Sequence, residues 1–227
     1  MIKILITVLL FSIEVLLYYK FNRIIAYPAR VLLYSYFIYW YYSARKDTLN
    51  ITDKLFLWSC AILIVSPVPD YIWNSVLGKV IEVVLLMLSQ HLIIVIWQKE
   101  GAKISFSNKY NSFTKILIPY IIVPLLFFFL VIVPTFQTIP IILSAIYLLQ
   151  MVYIATLSAF LPFPEKSKWY IALAMGLLII SSGANASRVY VITYTWDYAA
   201  VRLTAILFRF FLLIGLLYRE KDESSSF

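Results

Sequence analysis

The chain has 227 residues, 63% of them apolar and 18% aromatic, with 13% charged and a net charge of +8 from 19 basic and 11 acidic side chains. A soluble domain carries roughly 45–50% apolar and about 25% charged residues. This composition therefore excludes a soluble globule, and a mean hydropathy of +0.90 over the whole chain leaves no polar domain to set aside. An all-α, polytopic transmembrane helical bundle is expected, because a bilayer requires every backbone polar group to be paired within the protein.

A hydrocarbon core about 30 Å thick needs about 20 apolar residues per helix. Read by length, and by the charges and prolines that interrupt it, the sequence predicts eight spans. These run from Ile4 to Tyr19, Ile24 to Ser43, Lys54 to Trp73, Val76 to Gln98, Thr114 to Val133, Ile139 to Ser158, Lys168 to Ala186 and Tyr198 to Tyr218. The first resembles a signal peptide in having Lys3 before a short apolar run. It is read as a retained helix, because Lys20, Phe21 and Asn22 stand where a small-residue cleavage site would lie. Residues 1–218 then form a single transmembrane domain and 219–227 a charged cytoplasmic tail, with a basic cytoplasmic loop over Lys99 to Phe113.

Eight spans put both termini on one side of the membrane. Twelve Lys and Arg residues fall on that side against six on the other, with Arg209 inside a span. The positive-inside rule makes both termini cytoplasmic. Topology thus absorbs most of the positive charge, and no nucleic-acid partner is expected. Tyrosine and tryptophan cluster at Tyr34 to Tyr42 and Tyr190 to Tyr198, where amphipathic rings favour the membrane interface. The one cysteine, Cys60, excludes a disulfide framework and a cysteine metal site.

Ionisable side chains inside spans are costly unless paired or hydrated, so each is a functional candidate. The set is Glu14, Arg30, Asp70, Glu82, His91 and Arg209. Asp70 follows Ser66-Pro67-Val68-Pro69, whose prolines free backbone carbonyls. It is either an acid or base in a polar pocket or an interfacial residue that reaches water. His91 has Met87 and Leu88 one helical turn before it and reads as a packed core histidine or a proton-sharing group. Glu82 lies on the opposite helix face from His91 and three residues from Lys79, its local ion-pair partner. Arg202 and Arg209 are seven apart and share a face; Asp70, Glu14 and Asp197 are candidate partners for Arg209, and a lipid phosphate is the alternative. In Ser181-Ser182-Gly183-Ala184-Asn185-Ala186-Ser187-Arg188, small residues permit close helix packing, while Ser181, Asn185 and Arg188 share another face. No phosphate-binding glycine loop or HExxH motif occurs, and a single histidine excludes a histidine metal cluster, so neither a metal nor a cofactor is expected.

The order of these features resembles the YhhN family of eight-helix membrane proteins, whose characterised members are lysoplasmalogenases. Ser66-Pro67-Val68-Pro69-Asp70 looks like the family's Gly-Asp at the end of the third helix, and Leu85-Leu86-Met87-Leu88-Ser89-Gln90-His91 like its histidine motif in the fourth. Gly176-Leu177-Leu178-Ile179-Ile180-Ser181-Ser182 stands at the seventh-helix Ser-Asp motif and Ala205-Ile206-Leu207-Phe208-Arg209-Phe210 at the eighth-helix Tyr/Ala/Gln cluster, while Tyr27-Pro28 takes the place of a Lys-Pro. The chain departs from the pattern in having Ser182 for the second Asp, Arg209 for the Gln, Ile94 for the Tyr after the histidine and Tyr27 for the Lys.

What the resemblance implies is an integral protein of the bacterial inner membrane that hydrolyses the sn-1 vinyl ether of a lysoplasmalogen or related ether lysolipid. Asp70 would be the acid or base and His91 would orient water or share the proton. Arg209 and Arg202 would hold the phosphate, with Ser182, Asn185 and Arg188 lining the cleft. Protonating the alkenyl carbon and adding water suits two carboxyl groups, and only one is present. Two alternatives follow: a lipid-binding relative without catalysis, or a small transporter or sensory module built on the proline-broken helices at Pro67, Pro69, Pro119 and Pro124.

Overall fold

The computed structural model describes residues 2–104, 114–135, 138–190 and 195–219. Among them the regular structure is helical, with no strand: α1 (Ile2–Lys20), α2 (Arg23–Arg45), α3 (Ile51–Val65), α4 (Val68–Trp73), α5 (Val76–Lys99), α6 (Thr114–Phe127), α7 (Thr138–Ala159), α8 (Glu165–Tyr190) and α9 (Asp197–Leu217). Six segments of these residues are long and apolar enough to cross a bilayer: Ile2–Lys20, Ile51–Trp73, Val76–Lys99, Ile142–Ala159, Glu165–Arg188 and Asp197–Leu217. The chain is therefore a multi-pass helical membrane protein. The other two expected spans are helical but differ in kind. α2 carries three arginines, and α6 contributes only the shorter apolar stretch Ile118–Val131. Most of the expected cytoplasmic loop, and the tail beyond Arg219, lie outside the described residues.

The chain divides into two compact units, Met1–Ile93 and Ile94–Phe227. In the first, α2 packs on α1 and α3. Its start is fixed by Asn22, whose Oδ1 accepts from the backbone N–H groups of Ile24 and Ile25 at 2.9 and 3.0 Å, satisfying donors that a helix start leaves without partners. α3 begins with a capping box between Asn50 and Asp53. The buried Asp53 carboxylate also accepts from Tyr41 Oη at 2.5 Å and pairs with Arg45 at 3.5 Å, which ties the end of α2 to the start of α3. Leu33, Phe37, Phe56 and Cys60 fill the space between these helices, and Ser89 of α5 donates to the Ser59 carbonyl of α3 at 2.8 Å.

The two prolines divide the expected span Lys54 to Trp73 into α3 and α4. Pro67 has no N–H for the Leu63 carbonyl, which accepts from Ser66 Oγ at 3.3 Å instead; the Ile64 carbonyl accepts from Tyr27 Oη at 2.7 Å. The short α4 then closes on Asn74, which adopts the left-handed conformation at φ 41°, ψ 43°, one that asparagine tolerates better than most residues. The chain turns into α5 so tightly that a Cβ on Gly78 would lie 2.7 Å from the Pro69 carbonyl oxygen and 3.0 Å from Asp70 Cα.

In the second unit α8 lies along α9, and α6 and α7 pack beside α8. Ser167 Oγ donates to the Gly215 carbonyl at 2.7 Å, and a Cβ at Gly215 would meet Ile171 Cγ1 at 2.6 Å, so the two helices approach almost backbone to backbone. Tyr170 stacks between Phe211 and Tyr218, with the Lys166 ammonium 4.0 Å from the Tyr218 ring centre. Pro119 and Pro124 are accommodated inside α6, and the helix loosens only beyond them, in a π-helical turn over Phe128–Ile132.

Two glycine substitutions should have opposite signs. Gly78→Ala forces a methyl group against backbone and is expected to destabilise by about 1–3 kcal/mol. Gly183→Ala, in a helix with nothing within 4 Å of the new Cβ, is expected to stabilise by about 0.5–1 kcal/mol. Thermal unfolding midpoints of the detergent-solubilised variants check the order.

Candidate functional site

The best-defined polar constellation lies at the α1–α2 turn and the α3–α4 break, within the first unit. Arg23, Tyr27 and Arg30 recur at intervals of four and three along α2 and therefore share a face. Arg23 Nη1 donates to Asp70 Oδ2 and its Nη2 to Asn74 Oδ1 at 3.0 Å. The guanidinium carbon stands 5.2 Å from the centre of the Tyr71 ring, within cation–π range. The Tyr27 ring meets Tyr71 edge-on at 5.5 Å. Seven residues along α2, Arg30 Nε contacts Glu14 Oε1 of α1 at 3.3 Å. Asp70 is 4% exposed, so its charge is tolerable only with a counterion, while the Arg23 side chain remains 38% exposed. Asp70 Oδ1 has no hydrogen-bond partner among the described residues.

These contacts assign a role to Arg23, one of the six basic residues expected on the side opposite the termini. Its signal is the spacing with Tyr27 and Arg30, together with the requirement of Asp70 for a cation. A guanidinium carries five N–H donors, and these two bonds engage two of them. The arrangement is thus a half-exposed cation oriented by a buried carboxylate, an amide oxygen and an aromatic face.

His91 is on the exposed face of α5, which corrects its reading as a packed core histidine. The buried polar side chains of that turn are Ser89 and Gln90. Nor is His91 near Asp70. Gly78 adjoins Asp70, and His91 lies thirteen residues further along the same helix, about 20 Å at 1.5 Å per residue.

In the second unit, Ser182 Oγ is hydrogen-bonded to Tyr147 Oη at 3.1 Å and Ser181 Oγ donates to the Val201 carbonyl at 3.4 Å. Arg188 Nε donates to Asp197 Oδ2 at 3.2 Å, and its guanidinium stands 5.5 Å from the Tyr198 ring centre. Asn185 is exposed, whereas Arg202 and Arg209 are buried, the latter with its guanidinium carbon 4.9 Å from the Phe208 ring centre. Each of the three carboxylates considered as partners for Arg209 bonds a different arginine: Glu14 with Arg30, Asp70 with Arg23 and Asp197 with Arg188. Among the described residues no group of three or more His, Cys, Asp or Glu side chains could hold a metal ion. Compared with protein families, with curated proteins and with solved structures, the chain matches none.

Removing either partner of the Arg23–Asp70 pair should have unequal consequences. Arg23→Leu leaves a buried carboxylate without its cation and is expected to cost about 1–3 kcal/mol. Asp70→Asn keeps an amide oxygen for Arg23 and should cost less. A larger fall in thermal midpoint for Asp70→Asn than for Arg23→Leu would contradict the assigned geometry.

Proposed function

We propose that the chain is a YhhN-like integral membrane protein that holds the phosphate of a phospholipid or lysolipid headgroup at Arg23 and does not hydrolyse the lipid. The carrying observation is the guanidinium itself, half-exposed and fixed by Asp70, Asn74 and Tyr71. A preoriented arginine is well suited to phosphate, because its donors form a planar fork, and ordering it in advance lowers the entropy cost of binding. The excess of basic residues on the terminal side supports cytoplasmic termini. With that orientation Arg23 and Lys20 face the outer headgroups, beside the exposed Phe21 and Trp73.

The arrangement favours binding over vinyl-ether hydrolysis for a chemical reason. An acid that protonates the alkenyl carbon must carry a proton to give, and a second group must place the water. Asp70 is engaged as an acceptor by Arg23, His91 is remote from it along α5, and Ser182 stands where the family has its second carboxylate.

Purified protein incubated with lysoplasmalogen is expected to release no aldehyde. In native mass spectrometry it should retain phospholipid or lysolipid, and Arg23→Gln should weaken retention by roughly tenfold, the loss of one charge-assisted hydrogen bond. Aldehyde release by the natural chain would overturn the non-catalytic reading and restore Asp70 as the acid. Unchanged lipid retention by Arg23→Gln would remove Arg23 from the binding site.

A further inference from the structure

We propose that α5 forms the seam of a parallel homodimer in the membrane, with His91 of each copy hydrogen-bonded to His91 of the other. Along α5 in the first unit, Leu77, Ile81, Val84, Leu88 and His91 recur at intervals of four, three, four and three, the 3.5-residue repeat of a two-helix seam. Leu77, Val84 and Leu88 are 62%, 50% and 45% exposed, and His91 is exposed with them. The opposite face of the helix is spent on the protein: Gly78 against Pro69 and Asp70, Ser89 on the Ser59 carbonyl, Ile93 fully buried.

An exposed apolar stripe alone would be covered by lipid, but His91 is incompatible with that. It lies about 5 Å from the midpoint of a 24-residue span, well inside the hydrocarbon, where an imidazole finds neither donor nor acceptor and the cost falls to several kcal/mol. A second copy supplies the missing group by symmetry. Two copies inserted with the same topology are related by an axis along the membrane normal, so their α5 helices run parallel and in register, and His91 meets His91 at one level. A neutral imidazole has one N–H donor and one acceptor nitrogen, so the pair is self-complementary. One polar residue in an apolar seam is also the device that fixes register and copy number in coiled coils.

The test uses the full chain in native membranes with Cys60→Ser as background. Leu88→Cys and Val84→Cys should form disulfide-linked dimers on mild oxidation, while Leu32→Cys, on the exposed side of α2, should not. By energy transfer between labelled copies in phosphatidylcholine vesicles, His91→Ala should weaken the dimer about tenfold, the size of an interhelical polar contact in a membrane. His91→Gln, which keeps a donor and an acceptor, should restore it. A monomer in vesicles, cross-linking as strong at Leu32→Cys as on the seam, or a dimer indifferent to His91→Ala would each overturn the proposal. Because this readout does not involve Arg23 or any lipid ligand, it can fail while the headgroup site stands, and the reverse.

Discussion

A bilayer offers a buried charge no partner, so each one must be answered from within the protein, and in the first unit α2 supplies an arginine to each of the buried carboxylates Glu14, Asp53 and Asp70. Its arginines at 23, 30 and 45 meet Asp70 of α4, Glu14 of α1 and Asp53 of α3. Each pair joins α2 to a different element, and together they fix its rotation and its height against three neighbours. Such pairs are poor sources of net stability, since desolvating two ions offsets most of their attraction. Their effect is on specificity. Any rotation of α2 that separated one pair would leave a carboxylate stranded, at a cost well above the worth of the pair itself. These three arginines contribute to making α2 the least apolar of the long helices of that unit.

The same constraint governs the backbone at the break between α3 and α4. Two prolines remove N–H donors, and the freed carbonyls must be paired without water. Ser66 answers the Leu63 carbonyl freed by Pro67, and Tyr27, from across the helix pair, pairs the neighbouring Ile64 carbonyl. Tyr27 therefore secures the break and, through its edge contact with Tyr71, the aromatic face on which Arg23 rests. Asn74 and Gly78 complete the turn, one by adopting a left-handed conformation and the other by having no side chain. The polar cluster at Asp70 is thus a product of the helix break: an unbroken α3 would carry Asp70 away from the turn that gives it Asn74 as a neighbour.

The helical, membrane-spanning character of the chain was legible, because length and apolarity report directly on the solvent, whereas six rather than eight segments of the described residues reach membrane-spanning length and apolarity. Asp70 was legible as an anomaly for the same reason. Arg23 was not, since an arginine at a span boundary has an adequate explanation in topology, and only the three-dimensional partner distinguishes a topological charge from a positioned one. The orientation of His91 failed for a more general reason. In a soluble protein an apolar neighbourhood marks the buried side of a helix. In a membrane both sides are apolar, so Met87 and Leu88 beside His91 could not say whether that face met protein or lipid. The exposed stripe containing Leu88 is visible in the sequence as a repeat, but the sign of its burial is not.

These placements bear on what the Asp70 cluster can do. Catalysis requires contacts that strengthen as the reaction proceeds, and a general acid must pass between protonated and ionised states in step with it. Arg23 and Asp70 hold one another in one orientation, and the surrounding contacts of Asn74 and Tyr71 reinforce it. In the binding reading proposed above, a group fixed in this way would contribute equally to a lipid before and after any bond is broken, strengthening retention without lowering a barrier. For Asp70 to act as an acid, Arg23 would have to move off Asp70 Oδ2, whereas a phosphate could meet the exposed flank of the guanidinium with the pair intact. Acid chemistry at Asp70 therefore requires the Arg23–Asp70 pair to be broken, whereas the phosphate contact proposed for Arg23 is compatible with the pair as it stands.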